Sequence, residues 1–119
     1  MLGTFLVNSV PATVLFDSGA THSFVTERFV TKGGLVVTQM SRDMLVQIPG
    51  SQTRAKMTCK ETPIEILGKN FPANLVILGT QGIDVILGMN WLAKYQGRID
   101  CARRAVALTT EDGAEVEYV

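Results

Sequence analysis

Residues 14–20 read VLFDSGA, an apolar run that ends on an aspartate, a serine and a glycine. The β-prone residues before the aspartate predict a short buried strand. Asp17, Ser18 and Gly19 all favour turns, and Gly19 lets the backbone bend and pack closely. The strand therefore brings the Asp17 carboxylate out of the core onto a tight turn, and Ala20 keeps the far side of that turn small. By itself the tripeptide is weak evidence, because an ordinary Asx-type turn has the same composition.

A second motif, DVILGMNWL, occupies residues 84–92. It predicts an apolar strand, a glycine and then a short helix with Asn90 as the N-cap. Taken alone, this motif indicates only that its side chains pack in the core. The two motifs together are more specific, because the second resembles the partner strand that packs beside the catalytic loop in aspartic proteases.

Composition limits the classes of function that the chain can have. Its 119 residues make one domain, 1–119, and 46% of them are apolar. Eleven basic and eleven acidic residues leave no net charge, and only 7% of residues are aromatic. Nucleic-acid binding is therefore disfavoured. No apolar run approaches the length of a membrane span, and a secretory leader is not evident. We expect a cytoplasmic protein without membrane attachment, with virus-like particles as a second compartment.

The inventory of reactive side chains is small. One histidine and two cysteines, Cys59 and Cys101, cannot build a typical metal cluster, so we expect no metal and no cofactor. The cysteines are interpreted as buried thiols, and a disulfide between them is the alternative. His22 is interpreted as a structural or surface residue. Carboxylates must then carry any chemistry, and Asp84, which flanks a strand, is interpreted as structural.

Two further residues receive structural interpretations: Asp100 as a turn or ion-pair residue and Trp91 as core.

Short β-rich runs separated by turn residues dominate the rest of the chain. The predicted strands are 2–8, 13–16, 35–38, 44–48, 53–61, 64–67, 73–78, 84–88, 98–101, 105–109 and 115–119, and the predicted helices are 23–32, capped by Ser23, and 90–95. The fold class is therefore mainly β, a small barrel or sandwich with one or two short helices, and the tail 109–119 adds a hairpin strand.

The paired motifs resemble a retropepsin-type aspartic protease domain. The matching segments are 14–24 and 86–92, and the closing strands at 99–101 and 105–108 also fit. The chain most resembles the proteases of plant gypsy-type LTR-retrotransposon polyproteins, and the DNA-damage-inducible ubiquitin-receptor proteases share this domain type. The resemblance implies a closed, mostly β barrel that works as a homodimer on an extended peptide or polyprotein.

Chemistry also favours two chains. Hydrolysis of an amide by carboxylates needs one group to take a proton from water and another to protonate the carbonyl oxygen. Only Asp17 lies in a plausible catalytic turn, so we expect its partner to be Asp17 of a second chain, the two sharing one proton. The resemblance implies that Ser18 hydrogen-bonds across this pair and that Gly19 faces the substrate backbone, with Ala20 completing the loop.

The predicted hairpin around residues 48–53 corresponds to the flap that closes over a bound peptide in this family. Apolar side chains beside it are expected to line the subsites. The flap residues are Ile48, Pro49, Gly50 and Ser51, and the expected subsite residues are Ile48, Val85 and Ile86.

Two functions follow from these observations. The first is an aspartic endopeptidase that processes a retroelement Gag-Pol polyprotein. The second is a catalytically silent domain of the same fold that serves dimerisation or peptide binding, because a fold does not guarantee activity. The intact Asp17-Ser18-Gly19 sequence favours the enzyme.

Overall fold

Strands form most of the computed structural model, which describes residues 1–48, 50–79 and 82–119. The strands are β1 (Leu2–Val7), β2 (Val10–Phe16), β3 (Phe24–Val25), β4 (Thr38–Ile48), β5 (Ser51–Thr62), β6 (Ile64–Ile66), β7 (Lys69–Asn70), β8 (Ala73–Ile77), β9 (Val85–Leu87), β10 (Arg98–Asp100), β11 (Ala105–Thr109) and β12 (Glu115–Tyr118). The helices are α1 (Glu27–Gly33) and α2 (Met89–Lys94). The prediction of a mainly β domain with two short helices is confirmed.

A nine-stranded sheet organises the molecule in the order β4-β5-β8-β3-β9-β2-β1-β6-β7. In its middle, β9 pairs parallel with β2 and antiparallel with β3. The parallel pair is where the two sequence motifs meet, since Phe16 lies opposite Leu87. A separate three-stranded sheet, β10-β11-β12, contains the predicted hairpin strand of the tail.

The expected closure into a barrel is not observed. Among the described strands, β4 and β7 are the two edges of the large sheet, and β10 to β12 form a sheet of their own. The sheet is therefore open. Short runs of alternating residues predict strands well but say little about which edges pair, because pairing depends on contacts distant in sequence.

The core lies where both motifs are most apolar. Phe16 packs against Trp91 with ring centroids 5.9 Å apart, and Trp91 contacts Tyr95 at 5.2 Å. The Trp91 indole N–H donates to the Phe71 carbonyl oxygen at 3.1 Å, so its polar atom is satisfied inside the core. The interpretation of Trp91 as a core residue is confirmed.

Helix α1 begins later than the sequence predicts. Its N-cap is Thr26, whose hydroxyl accepts a hydrogen bond from the Phe29 N–H at 3.1 Å, and the residues before it form β3. The predicted cap, Ser23, is buried elsewhere. The helix ends at Gly33, one residue beyond the predicted end at residue 32, because Gly34 takes the left-handed conformation (φ 64°) that ends helices. The strand predicted at 35–38 reaches β4 only at its last residue.

Asn90 is not the N-cap of α2. Gly88 occupies that position, and the Asn90 side-chain oxygen accepts from the Trp91 N–H at 2.8 Å within the first turn. The aspartates expected to be structural do serve the backbone: Asp84 accepts from the Thr13 N–H at 2.8 Å, and Asp100 accepts from the Ala102 N–H at 3.1 Å.

Both cysteines are free thiols, so the alternative of a disulfide is not realised. Cys59 is buried as predicted, and this burial raises the pKa of its thiol. Cys101 is exposed, because it lies in the turn between β10 and β11 and not on a strand, so the prediction was wrong for this residue. Within the described ranges, no helix is long and apolar enough to span a membrane.

Candidate active site

Asp17 follows β2 directly and lies at the end of the parallel β2–β9 pair. Its N–H donates to the Leu87 carbonyl oxygen at 3.0 Å, which extends the ladder by one bond. Its Oδ1 accepts from the Gly19 N–H at 2.9 Å, and its carbonyl oxygen accepts from the Ala20 N–H at 3.2 Å. The sequence DSGA therefore forms a turn that orients the half-buried carboxylate by its own backbone.

The loop after Asp17 is held against the start of α2. The Met89 N–H donates to the Ala20 carbonyl oxygen at 2.7 Å, and the Asn90 N–H donates to that of Thr21 at 3.3 Å. This approach requires glycine at position 88, because a Cβ there would overlap the carbonyl oxygens of His22 and Ala20, at 2.6 Å from the second. Gly88 therefore allows the backbone at the start of α2 to pack closely against the loop after Asp17.

A buried serine also links the two motifs, and we call the hydrogen bonds of Ser23 with Gly88 and Asn90 the clamp. The Ser23 hydroxyl, in a residue 1% exposed, donates to Asn90 Oδ1 at 2.9 Å and accepts from the Gly88 N–H at 3.0 Å. Every polar atom of this contact has a partner, which is what a buried network needs to be stable. The two motifs are thereby joined into one unit around Asp17.

Asp17 opens into a cleft of about 540 Å³ between this loop and the inner side of the β4–β5 hairpin. Most of the surrounding side chains are apolar. The described residues that line the cleft are Asp17, Gly19, Ala20, Thr21, His22, Phe24, Met44, Leu45, Val46, Gln47, Leu78 and Ile86.

The predicted loop residues divide between the cleft and its surroundings. Asp17, Gly19 and Ala20 line it, whereas Ser18 is exposed on the loop. Ile86 also lines the cleft, but Val85 is 1% exposed and packs in the core. Adjacent residues of a strand face opposite sides, so only one of the two can reach the cleft, and the expectation for Val85 is corrected.

The expected flap is the β4–β5 hairpin. Ile48 pairs with Ser51 across its tip, Gly50 has φ 82°, and Pro49 lies outside the described residues. The described cleft is lined by β4 residues 44–47 and not by Gly50 or Ser51. Sequence reasoning missed this stretch, although the apolar run at 44–46 just before the turn was a usable signal.

Two polar residues of the cleft, Thr21 and His22, were not among the predicted site residues, although both lie close to Asp17 in the first motif. His22 is exposed, which agrees with its interpretation as a structural or surface residue. The two side chains are joined, Thr21 Oγ1 to His22 Nδ1, at 3.0 Å. Over the described part of the chain, no group of three His, Cys, Asp or Glu residues is placed to hold a metal ion.

Comparison with known proteins agrees with this geometry. The family described as retroviral aspartyl protease matches residues 1–114. The chain belongs to this family. Among solved structures, the retroviral protease-like domain of Ddi1 from Leishmania major superposes with a TM-score of 0.71 and 20% identity, covering 91% of this chain and 86% of that one. EIAV protease complexed with the inhibitor HBY-793 superposes with a TM-score of 0.65 and 19% identity, covering 79% and 86%. These likenesses show that this family member has the retropepsin-like fold.

Curated relatives of this family member include two DDI1 proteins. The Protein DDI1 homolog of Leishmania major is 25% identical over 104 residues, which is 86% of this chain. Protein DNA-DAMAGE INDUCIBLE 1 of Arabidopsis thaliana is 26% identical over 110 residues, 92% of this chain. The chain spans 26% of the length of each.

Proposed function

We propose that this domain is an aspartic endopeptidase whose catalytic pair consists of Asp17 from two identical chains. The observation that carries the proposal is the position of Asp17. Its carboxylate is oriented by the Gly19 N–H and opens into an apolar cleft beneath a hairpin. Membership of the retroviral aspartyl protease family supports the same chemistry.

The mechanism needs two carboxyl groups that share a proton. Adjacent like charges cannot both ionise, so one Asp17 stays protonated beside the other. The ionised Asp17 takes a proton from water as the water attacks the scissile carbonyl carbon. The protonated Asp17 donates its proton to the carbonyl oxygen. The tetrahedral intermediate then collapses with proton transfer to the amine, and no acyl-enzyme forms.

The second carboxyl group must come from another chain, because Asp17 is the one carboxylate among the described residues that line the cleft. A groove at the same end of the molecule is suited to a second copy. It is lined by Met1, Leu2, Leu15, Cys101, Arg104, Tyr118 and Val119. Leu2 is 57% exposed there, and the Met1 carbonyl oxygen accepts from the Phe16 N–H, one residue before Asp17. A two-fold contact at this β1–β12 groove would bring the two loops together and bury that apolar surface.

The substrate in this proposal is an extended, largely apolar peptide. Gly19 and Ala20 leave room for its backbone, Ile86 contacts its side chains, and Ser18 locks the two loops across the pair. The hairpin tip, with Ile48, Pro49, Gly50 and Ser51, closes over the peptide and excludes water. In the cleft itself, the inner strand of the hairpin supplies the apolar wall.

The biological setting has two candidates. The resemblance to plant gypsy-type elements suggests processing of a retroelement Gag-Pol polyprotein. The curated relatives are instead DDI1 proteins, which favours a DDI1-like role over polyprotein processing.

Cleavage of a peptide library between pH 4 and 7, with and without pepstatin, tests the proposal. We expect wild-type cleavage that pepstatin inhibits and that Asp17→Asn abolishes, since an amide can neither take nor give the proton. Asp112→Asn is the matched control, because that exposed carboxylate lies in the turn before β12, outside the cleft. Cleavage that survives Asp17→Asn would refute the mechanism. A folded dimer that cleaves nothing would favour the silent, peptide-binding alternative.

A further inference from the structure

The cleft contains a second ionisable side chain, that of His22. Among the described lining residues, only Asp17 and His22 can carry a charge. The walls opposite them consist of apolar side chains from β3, β4, β9 and the segment after β8, together with the neutral Gln47. Because those walls supply no competing charge, the imidazole decides the electrostatic preference of its part of the cleft.

The backbone around His22 is held on both sides. Thr21 accepts the Asn90 N–H through its carbonyl oxygen, and Ser23 is fixed through the hydroxyl that contacts Gly88 and Asn90. The His22 carbonyl oxygen packs directly against Gly88. A side chain that starts from so constrained a backbone reaches a ligand with little loss of conformational entropy.

The imidazole is also oriented by its neighbour. The Thr21 hydroxyl contacts His22 Nδ1 at 3.0 Å, and a hydroxyl can donate to this nitrogen or accept from it. The contact therefore suits the neutral ring and the imidazolium alike. In the imidazolium, Nδ1–H donates to the threonine oxygen, which leaves Nε2–H as the donor for a ligand.

We propose that His22 is a specificity-determining residue that selects a glutamate or aspartate side chain of the substrate peptide. This inference rests on the proposed endopeptidase function. A carboxylate is the natural partner of an imidazolium, because a charge-assisted hydrogen bond is stronger than a neutral one. Two identical chains would supply one His22 each, so the preference arises at two substrate positions, one on each side of the scissile bond.

Among the described residues that line the cleft, Asp17 is the other ionisable group, and it remains the same in every comparison between substrates.

The experiment compares matched peptides with the full chain. Each position of a cleaved peptide is replaced in turn by Glu and by Gln, and the ratio of kcat/KM for the pair is measured at pH 5. At two positions flanking the scissile bond, we expect about a tenfold preference for Glu. His22→Gln should abolish the preference, and His22→Lys should retain it.

Binding gives a readout that does not require cleavage. The Asp17→Asn variant, titrated with the same peptides, should bind the Glu peptide more tightly than the Gln peptide at pH 5, and adding His22→Gln should remove the difference. Equal ratios in wild type and His22→Gln, or peptides that do not bind, would overturn the inference. Absence of cleavage combined with the expected binding preference would refute only the endopeptidase function.

Discussion

Ser23 links the two motifs at the level of a single residue. Its hydroxyl is the partner of the Gly88 N–H and of the Asn90 side chain, and all three lie beside the loop that follows Asp17. Ser23→Ala leaves a buried N–H without a partner, so we expect the free energy of unfolding to fall by about 1–3 kcal/mol. Urea denaturation measures this loss.

A double-mutant cycle of Ser23→Ala and Asn90→Ala isolates the interaction energy between these two side chains. Because the two side chains share a hydrogen bond, the double variant should lose less than the sum of the single losses, by about 0.5 kcal/mol or more. Thr31→Ala, on the exposed face of α1, is the control and should change stability little. Strict additivity of Ser23→Ala and Asn90→Ala would show that the clamp does not exist as described.

At the scale of single residues, the sequence was sufficient where neighbouring residues alone determine the local conformation. Asp17 and Gly19 form their turn from neighbouring atoms, so DSGA was enough to identify it. Ser23 and Asn90 are residue types that commonly cap helices, yet neither is an N-cap here, and their side chains bond to each other across the two motifs. Such partners cannot be read from local sequence, because the contact exists only after β2 and β9 have paired.

In the β4–β5 hairpin, an effect on substrate binding can be measured separately from an effect on stability. Leu45 lies in the cleft and is nevertheless 59% exposed, so its side chain has apolar surface available for a ligand. We expect Leu45→Ala to lower kcat/KM for an apolar peptide about tenfold, because the buried methylene groups of the contact are lost. The midpoint of thermal unfolding should change little, because the side chain is uncovered in the free chain.

Met57→Ala is the matched control on the same hairpin. Met57 is exposed but is not among the described residues that line the cleft, so its truncation should change neither kcat/KM nor stability appreciably. A large loss of stability in Leu45→Ala, with unchanged kinetics, would place Leu45 in the hairpin's packing and not in substrate binding.

The sequence predicts the type of each element better than the residues at which it begins and ends. The alternating run within β5 and the apolar run of β9 identified both strands. The two-residue strands β3 and β7 were missed, since so short a segment carries no periodicity. The faces of β9 were also unresolved, because a fully apolar strand gives no sign of whether Val85 or Ile86 meets the cleft.

At the scale of the whole molecule, two features are consistent with the proposed pairing of two chains. Asp17 is the one carboxylate among the described residues that line the cleft, and a largely apolar groove lies between β1 and β12. The local sequence predicts the strands but not the groove, because the groove forms from residues at opposite ends of the chain.

Subunit mixing tests the pairing of two Asp17 carboxyl groups most directly. A fixed amount of wild-type chain is equilibrated with increasing amounts of the Asp17→Asn chain, and peptide cleavage is measured. If each active unit needs Asp17 from both chains, an equal amount of variant should reduce activity to about half as inactive mixed dimers form, and an excess should suppress it further. Activity that stays constant at every ratio would show that one Asp17 is sufficient and would contradict the account.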